Sequence, residues 1–338
     1  TYLFITALFV LIFMSCQSRK KNNAEKQNEI ELVAEKQLVF PLDEQTYYLS
    51  KSMFQFEENG KEYLHFENTR KSLYDIVIFD IENKQIAKRI PLHKTGPNGL
   101  PAVYGSRPSP DSKQILISQN NIGRLSTINN QGEVVHNYPV KTPEGRFTTF
   151  FFCSYYNAPA FVKDSCIFLN QGIFKPNMKR EDWPQTHMFA SQNLETGKFE
   201  WVPIFYPPIF KEEYENIDGG YGFSYDYNYK ESRLVCGFFG YDSLMVTDDL
   251  KHIRWYNAKS KYLKSMKPKL GNAMAGINSI IEFCEAPMYW HIMYDKYRDV
   301  YYRFAEMPYK LAPNESPYDE PKGKEFSVIV LNADFEII

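Results

Sequence analysis

The sequence has no apolar run long enough to cross a membrane as a helix, and it has no concentrated block of basic residues. Its most apolar stretch, Tyr2 to Met14, is shorter than the ~20 residues that a membrane-spanning helix needs. The 39 Lys and Arg residues nearly balance 41 Asp and Glu residues, and the net charge is −2. Because nucleic acid is bound by clustered positive charge, this even spread argues against nucleic acid as a partner.

Recognisable catalytic and metal-binding motifs are also missing. The chain contains no HExxH, GxSxG, P-loop or DxDxDG calcium loop. Its six histidines are scattered without zinc-ligand spacing, and its five cysteines include no CxxC pair. The sequence therefore predicts no metal site and no cofactor.

Four cysteines lie beyond Cys16, and they leave two alternatives open. Cys153 and Cys166 stand at the two ends of one predicted β-turn-β segment, so a disulfide between them is geometrically reasonable. Alternatively, these two residues and also Cys236 and Cys284 are free thiols, because free cysteine behaves as a small apolar residue.

What the sequence does contain at its start is the pattern of a bacterial lipoprotein signal. The apolar stretch has the length of a signal-peptide h-region, and the small residue Ser15 precedes Cys16. A polar segment follows. We therefore predict a signal peptide over residues 1–15, a lipidated Cys16 with a flexible tether over residues 16–36, and attachment to the membrane through that lipid.

The chain begins with Thr1 and has no basic n-region, and it stops at Ile338 within a predicted strand. We expect from these two ends that the chain is truncated at both.

Aromatic residues make up 16% of the chain and alternate with β-branched residues in short runs, which indicates strands. Hairpin patterns with Asn, Asp or Gly at the turn recur at residues 76–92, 125–140, 187–204, 243–258 and 326–338. Their turns are roughly 50 to 85 residues apart, the length of one propeller blade with insertions. The sequence thus predicts an all-β chain, with a β-propeller over residues 37–338.

At least five blades can be counted, and we expect six or seven in all, with the ring incomplete at the carboxyl end. An open ring would leave unpaired edge strands. Residues 37–42 are the predicted outer strand that would close it.

Several segments resemble an uncharacterised family of Bacteroidota lipoproteins, a domain of unknown function with a β-propeller-like fold. They are HKTGPNG at His93–Gly99, YRDVYYRF at Tyr297–Phe304 and FSVIVLNADF at Phe326–Phe335, together with the exported start. The resemblance covers nearly the whole mature chain and implies the fold and an envelope location, but no activity. Surface-export tags in such lipoproteins are acidic, whereas the residues after Cys16 are basic, which favours the periplasmic side of the outer membrane.

The loop Gly96-Pro97-Asn98-Gly99 is the first candidate binding element. Two glycines and an asparagine around a proline form a tight turn whose amides could hold an anion or a sugar hydroxyl. The alternative is a rigid corner between two blades.

Alternation along Val300–Phe304 places Tyr301 and Arg303 on one face of a strand. Arg303 is therefore a candidate for the propeller channel or for an ion pair between blades, and the ion pair is favoured.

Asp226 and Asp295 lie among aromatic residues and are the candidate pair of catalytic carboxylates. A glycan hydrolase would need two such groups facing each other. The leading hypothesis is instead a non-catalytic propeller that binds a protein, peptide or glycan or serves as a scaffold, and the hydrolase is its alternative.

Overall fold

A computed structural model describes residues 37–47, 50, 52–68, 74–109, 111–119, 123–140, 150–152, 158–172, 184–209, 222–263, 266, 281, 284–316 and 324–338. These residues form twenty strands in five sheets, which confirms the predicted all-β propeller with at least five blades. A sixth or seventh blade stays a prediction. Cys16 and the rest of residues 1–36 lie outside the described residues, as does Cys153.

Each sheet is one blade, and its paired strands run antiparallel. Blade 1 contains β1 (Met53–Glu58), β2 (Lys61–Asn68), β3 (Asp75–Asp80) and β4 (Gln85–Pro91). Blade 2 contains β5 (Gly105–Pro108), β6 (Ile115–Gln119), β7 (Arg124–Ile128) and β8 (Val134–Pro139). Blade 3 contains β9 (Phe150–Phe152), β10 (Phe161–Lys163), β11 (Cys166–Gly172), β12 (Phe189–Asn193) and β13 (Phe199–Trp201), with β9 and β10 both pairing with β11.

The remaining two blades complete the described part. Blade 4 contains β14 (Phe223–Asn228), β15 (Arg233–Phe238), β16 (Ser243–Thr247) and β17 (Arg254–Asn257). Blade 5 contains β18 (Met288–Asp295), β19 (Val300–Glu306) and β20 (Phe326–Leu331). Among the residues described above, no helix has the length and apolar character needed to cross a bilayer.

Apolar side chains on the sheet faces form the layers that join neighbouring blades. One layer, including Phe161, Phe189 and Tyr225, joins blades 3 and 4. Phe161 is fully buried, with its ring stacked 4.7 Å from Phe168 and 4.3 Å from Tyr227. Similar layers join blades 1 and 2, blades 2 and 3, and blades 4 and 5. Burial of apolar surface at about 25 cal/mol per Å² is therefore what holds successive blades together.

One close approach between blades requires glycine. Gly132, in the turn between β7 and β8, has a φ of +82°, and a Cβ there would lie 2.1 Å from the carbonyl oxygen of Pro91. The turn of blade 2 can therefore press against the end of β4 only because this residue has no side chain.

The predicted closing strand is wrong. Residues 37–42 form no strand, and Phe40 instead packs against Phe79 of blade 1 at a ring distance of 5.2 Å. Blade 5 approaches blade 1 through polar contacts, in which Gln55 and Glu62 both hydrogen-bond the hydroxyl of Tyr297. These side chains, rather than a shared strand, join the first and last described blades.

The predicted alternative of a Cys153–Cys166 disulfide is also wrong. Cys166 is a free thiol whose sulfur accepts a hydrogen bond from Asn193 at 3.6 Å. Cys236 and Cys284 are reduced cysteines as well, in no disulfide. Burial raises the pKa of the Cys236 thiol, so this sulfur is protonated and unreactive.

Candidate functional site

Residues on or next to the edge strands β1, β5, β10, β14 and β18 form one cluster through side-chain and backbone contacts. Arg107 of β5 lies over the ring of Phe54 of β1, with its Cζ atom 5.2 Å from the ring centroid. Its Nη2 donates to the Tyr229 hydroxyl at 3.4 Å. We call this group the axial cluster; its members are Phe54, Arg107, Val162, Asp226, Tyr229 and Tyr294.

The other members connect blades 3, 4 and 5. The amide of Val162 in β10 donates at 3.3 Å to the hydroxyl of Tyr229, the residue that follows the end of β14. The amide of Tyr294 in β18 donates to a carboxylate oxygen of Asp226 in β14 at 2.8 Å. The axial cluster thus contains at least one residue from every described blade.

Strand alternation explains why Asp226 faces this region. Tyr225 and Tyr227 point towards blade 3, where Tyr225 donates to the carbonyl of Ala158. The side chain between them must point the other way, towards blade 5. Asp226 is half-buried by its accessible surface and is surrounded by many protein atoms.

Arg107 is the least compensated charge of the axial cluster. Its Nη1 is buried and has no hydrogen-bond partner among the described residues. Those residues also place no carboxylate within 4 Å of its guanidinium, and Asp226 interacts with it only over a longer distance. A buried polar atom without a partner costs about 1–3 kcal/mol, so the group is suited to bind something else.

A buried hydrogen-bond chain lies beside Arg107. Nε2 of His65 is 2.8 Å from the Ser106 hydroxyl, which donates to Glu67 at 2.8 Å. Since the hydroxyl proton points to Glu67, Nε2 of His65 must carry the proton and Nδ1 is left as a buried acceptor without a partner among the described residues. Serine lies between the other two groups, whereas a nucleophilic triad has histidine in the middle.

Burial controls the charge of this chain. Burial, and then the positive charge of Arg107, lower the pKa of His65 to about 3, so its imidazole is neutral at pH 7. Burial also raises the pKa of Glu67, against the opposing hydrogen bonds from Ser106 and Ser52. Arg107 is therefore the only cation in this part of the described structure.

The structure does not bring the two candidate catalytic carboxylates together. The carboxylate of Asp226 accepts from the amide of Tyr294 in β18. It lies towards the face of β18 that carries the Tyr294 side chain, whose ring packs against that of Tyr301. Asp295 is the next residue along β18, and it accepts from Tyr302 on the opposite face. Because neighbouring side chains of a strand point to opposite faces, β18 separates the two carboxylates.

The environments of the two carboxylates also differ. Burial raises the pKa of Asp226 despite the hydrogen bonds from the amides of Tyr294 and Tyr227. Burial acts in the same direction on Asp295, but hydrogen bonds from Arg298 and Tyr297 outweigh it and lower the pKa. Asp295 is the acceptor of a β-turn, with Tyr297 N at 2.9 Å and Arg298 Nη1 at 2.9 Å.

The loop with Gly96, Asn98 and Gly99 has the geometry of a corner between blades. Gly96 has a φ of +87° and accepts a hydrogen bond from the amide of Gly99 at 2.9 Å. Asn98 Oδ1 accepts from the amide of Val134 in β8 at 3.0 Å. Its contacts thus join the end of blade 1 to the outer strand of blade 2.

Asn98→Ala is expected to lower the free energy of unfolding by about 1 kcal/mol, because the amide of Val134 loses its acceptor. Asn98→Asp keeps the acceptor oxygen and is the matched control, expected to stay close to the parent protein. Urea unfolding of the three proteins measures the difference. Equal stability of the alanine variant and the parent would contradict the corner assignment.

Tyr301 and Arg303 do lie on one face of β19, and both are fully buried against blade 4. Tyr301 accepts from Asn228 at 3.0 Å. Arg303 donates to backbone carbonyl oxygens of blade 4, among them Ala258 at 2.8 Å and Tyr241 at 2.6 Å. The contact is between blades, but the favoured ion pair is not found among the described residues, because the guanidinium of Arg303 meets backbone carbonyl oxygens of blade 4 there instead of a carboxylate.

Sequence reasoning missed the axial Arg107 and the His65 chain. His65 and Glu67 are two residues apart in a strand otherwise rich in apolar residues, and this spacing puts both on one face. That pattern could have identified them. Sequence reasoning also missed a groove of 280 Å³ between blades 1 and 2, which is lined by Tyr74, Lys94, Tyr104 and Leu100–Val103.

Potential metal ligands are dispersed in the described part of the chain. No group of three or more His, Cys, Asp or Glu residues within it could hold a metal ion.

Comparison with known proteins relates the chain to one family. The family model described as "Domain of unknown function (DUF4221)" matches residues 29–338. A crystal structure of a DUF4221 family member from Bacteroides vulgatus ATCC 8482 is 84% identical with a TM-score of 0.87, over 93% of this chain and 86% of that chain.

A more distant structure, from Bacteroides fragilis NCTC 9343, belongs to a protein described as exported. It is 8% identical with a TM-score of 0.54, over 89% of this chain and 73% of that chain, and at this identity the likeness concerns the fold alone. No curated protein matches the chain.

Proposed function

The chain belongs to the DUF4221 family, and from its propeller geometry we propose that it is a non-catalytic binding propeller of the bacterial envelope, anchored by a lipid on Cys16. The axial cluster is the observation that carries this proposal. Residues of all five described blades meet there around a guanidinium that has no carboxylate within ion-pair distance among the described residues, and rigid scaffolds commonly bind ligands at such points.

The positions of the carboxylates favour binding over hydrolysis. Asp226 and Asp295 lie on opposite sides of β18, and the second is held by its own turn. A glycosidase needs its two carboxyl groups on either side of one glycosidic bond. The order of His65, Ser106 and Glu67 likewise differs from that of a nucleophilic triad.

A periplasmic or surface hydrolase that acts on glycans is the second candidate. The raised pKa of Asp226, together with its position in the axial cluster, is the observation that favours it, because general acids are tuned in this way.

Binding and cleavage of a panel of glycans and peptidoglycan fragments, both measured on the same protein, distinguish the two functions. We expect binding without cleavage. Cleavage that is lost in Asp226→Asn but kept in Asp334→Asn, an aspartate of a surface turn, would contradict the binding proposal and support the hydrolase.

Membrane attachment rests on the sequence pattern around Cys16 and agrees with the export of the distant Bacteroides fragilis relative. The basic residues after Cys16 favour the periplasmic side of the outer membrane.

Cys16→Ala, introduced into the full gene in its host, is expected to move the protein from the membrane fraction to the soluble fraction, because no other acylation site is predicted. Cys284→Ala is the matched control and should remain in the membrane fraction. Mass spectrometry of the parent protein should show acylated Cys16. A Cys16→Ala protein that stays equally membrane-bound would contradict the anchor.

A further inference from the structure

We propose that the axial cluster binds the carboxylate of an acidic sugar through Arg107; this inference rests on the proposed binding function. Arg107 belongs to β5, and its neighbours come from β1 and from the end of β14. The chain thus presents a guanidinium at a place that residues of all described blades approach, and no carboxylate of the described residues lies within ion-pair distance of it.

The charge of the site favours a ligand group with a single negative charge. His65 has a pKa of about 3 and is neutral at pH 7, so the positive charge of the site is the single charge of Arg107. Burial raises the pKa of Asp226, and Asp226 stands near enough to Arg107 for the guanidinium to oppose part of that rise. A phosphate dianion would therefore meet one cation and a nearby acidic group, whereas one carboxylate matches the guanidinium in both charge and shape.

Two buried nitrogen atoms indicate which group should accompany the carboxylate. Nη1 of Arg107 is a donor and Nδ1 of His65 is an acceptor, and neither has a partner among the described residues. Both side chains lie beside Phe54, whose ring is 6.2 Å from that of His65. A ligand with a carboxylate and a nearby hydroxyl matches this donor and acceptor, the hydroxyl bonding Nδ1 directly or through one water.

Tyr229 is placed to admit such a ligand and to contact its sugar ring. Its side chain is 50% exposed, and its hydroxyl accepts hydrogen bonds from Nη2 of Arg107 at 3.4 Å and from the amide of Val162 at 3.3 Å, both near the limit for such bonds. A rotation of this side chain would release Nη2 of Arg107. The ring is then available to pack against a sugar, since tyrosine combines a flat apolar face with a hydroxyl.

Calorimetric titration of the full chain with glucuronate, glucose and inorganic phosphate tests the proposal. We expect glucuronate to bind at least tenfold more tightly than either of the other two. Arg107→Gln should weaken glucuronate binding at least tenfold. Arg254→Gln removes an arginine from the surface strand β17 and should leave binding unchanged.

Equal glucuronate binding by Arg107→Gln and the parent would overturn the proposal, as would equal binding of glucose or tighter binding of phosphate. If Arg107→Gln fails to fold, Arg107→Lys is used instead, because lysine keeps the positive charge but cannot form two parallel hydrogen bonds to a carboxylate. We expect this variant to bind glucuronate several-fold more weakly than the parent. Binding of a neutral glycan or a peptide independently of Arg107 would reject this inference while leaving the proposed binding function standing. Cleavage of a glycan would reject the proposed function itself.

Discussion

Arg303→Met is expected to lower the free energy of unfolding by about 3–5 kcal/mol, a large part of the 5–15 kcal/mol that typical domains possess. Arg303 is completely buried, and its guanidinium donates to the carbonyl oxygens of Phe238, Tyr241, Asp242 and Ala258. Methionine has similar length but no donors, so these acceptors would be left buried without partners.

The surroundings of Arg303 explain why the charge is retained at this depth. Its Cζ atom lies 3.6 Å from the ring centroid of Tyr289, whose hydroxyl donates to Asp242. Burial lowers the pKa of Arg303 to about 10, so the side chain remains charged at pH 7. The guanidinium thus connects blade 5 to blade 4 through the backbone of blade 4 and through a cation–π contact.

Arg254→Met is the matched control for this prediction. Arg254 forms an ion pair with Asp248 on the surface, and exposed pairs contribute at most about 1 kcal/mol. Chemical denaturation of both variants gives the comparison. If the two substitutions destabilise the protein equally, Arg303 does not hold blades 4 and 5 together as described.

His65→Gln is expected to flatten the acid limb of the stability curve. The pKa of His65 is about 3 in the folded protein and 6.5 ordinarily, so below pH 6.5 the unfolded chain binds a proton that the folded protein does not. Stability contributed by the neutral imidazole is therefore complete above pH 6.5 and is lost as the pH falls from 6.5 towards 3. Between pH 7 and pH 5 this loss amounts to about 2 kcal/mol.

The variant should lack this part of the pH dependence, although it will be less stable than the parent at pH 7. Glu67 has a raised pKa and acts in the opposite sense, since its stabilising effect is lost as the pH rises through the folded pKa, but it is present in both proteins. His291, with a pKa lowered to about 4 by burial, supports the same acid limb in both.

His136→Gln is the control, because His136 is exposed on the outer strand β8. Urea unfolding at pH 5, 6 and 7 measures the slopes. An unchanged slope in His65→Gln would show that His65 takes up a proton in the folded protein, and it would contradict the buried chain through Ser106.

The sequence predicted hairpins well because their rules are local. The pattern at residues 243–258 became β16 and β17, and that at residues 125–140 became β7 and β8. Alternation also put Tyr301 and Arg303 on one face of β19. The closing strand at residues 37–42 failed because an isolated apolar segment can pack against a sheet face, as Phe40 does, without pairing with its edge.

The candidate site could not be predicted in the same way. Arg107, Asp226 and Tyr294 are far apart in the sequence, and no motif spacing links them. Family membership and the propeller fold, both expected from sequence, are confirmed, while the lipid on Cys16 stays a prediction.

By itself the sequence determined the strands, their turns and which face of each strand is apolar, because period-two alternation and turn chemistry act over a few neighbouring residues. Only the tertiary structure decided that Arg303 binds carbonyl oxygens, that β18 separates Asp226 from Asp295, and that Nη1 of Arg107 has no hydrogen-bond partner among the described residues. These outcomes depend on how blades that are distant in sequence pack around one axis.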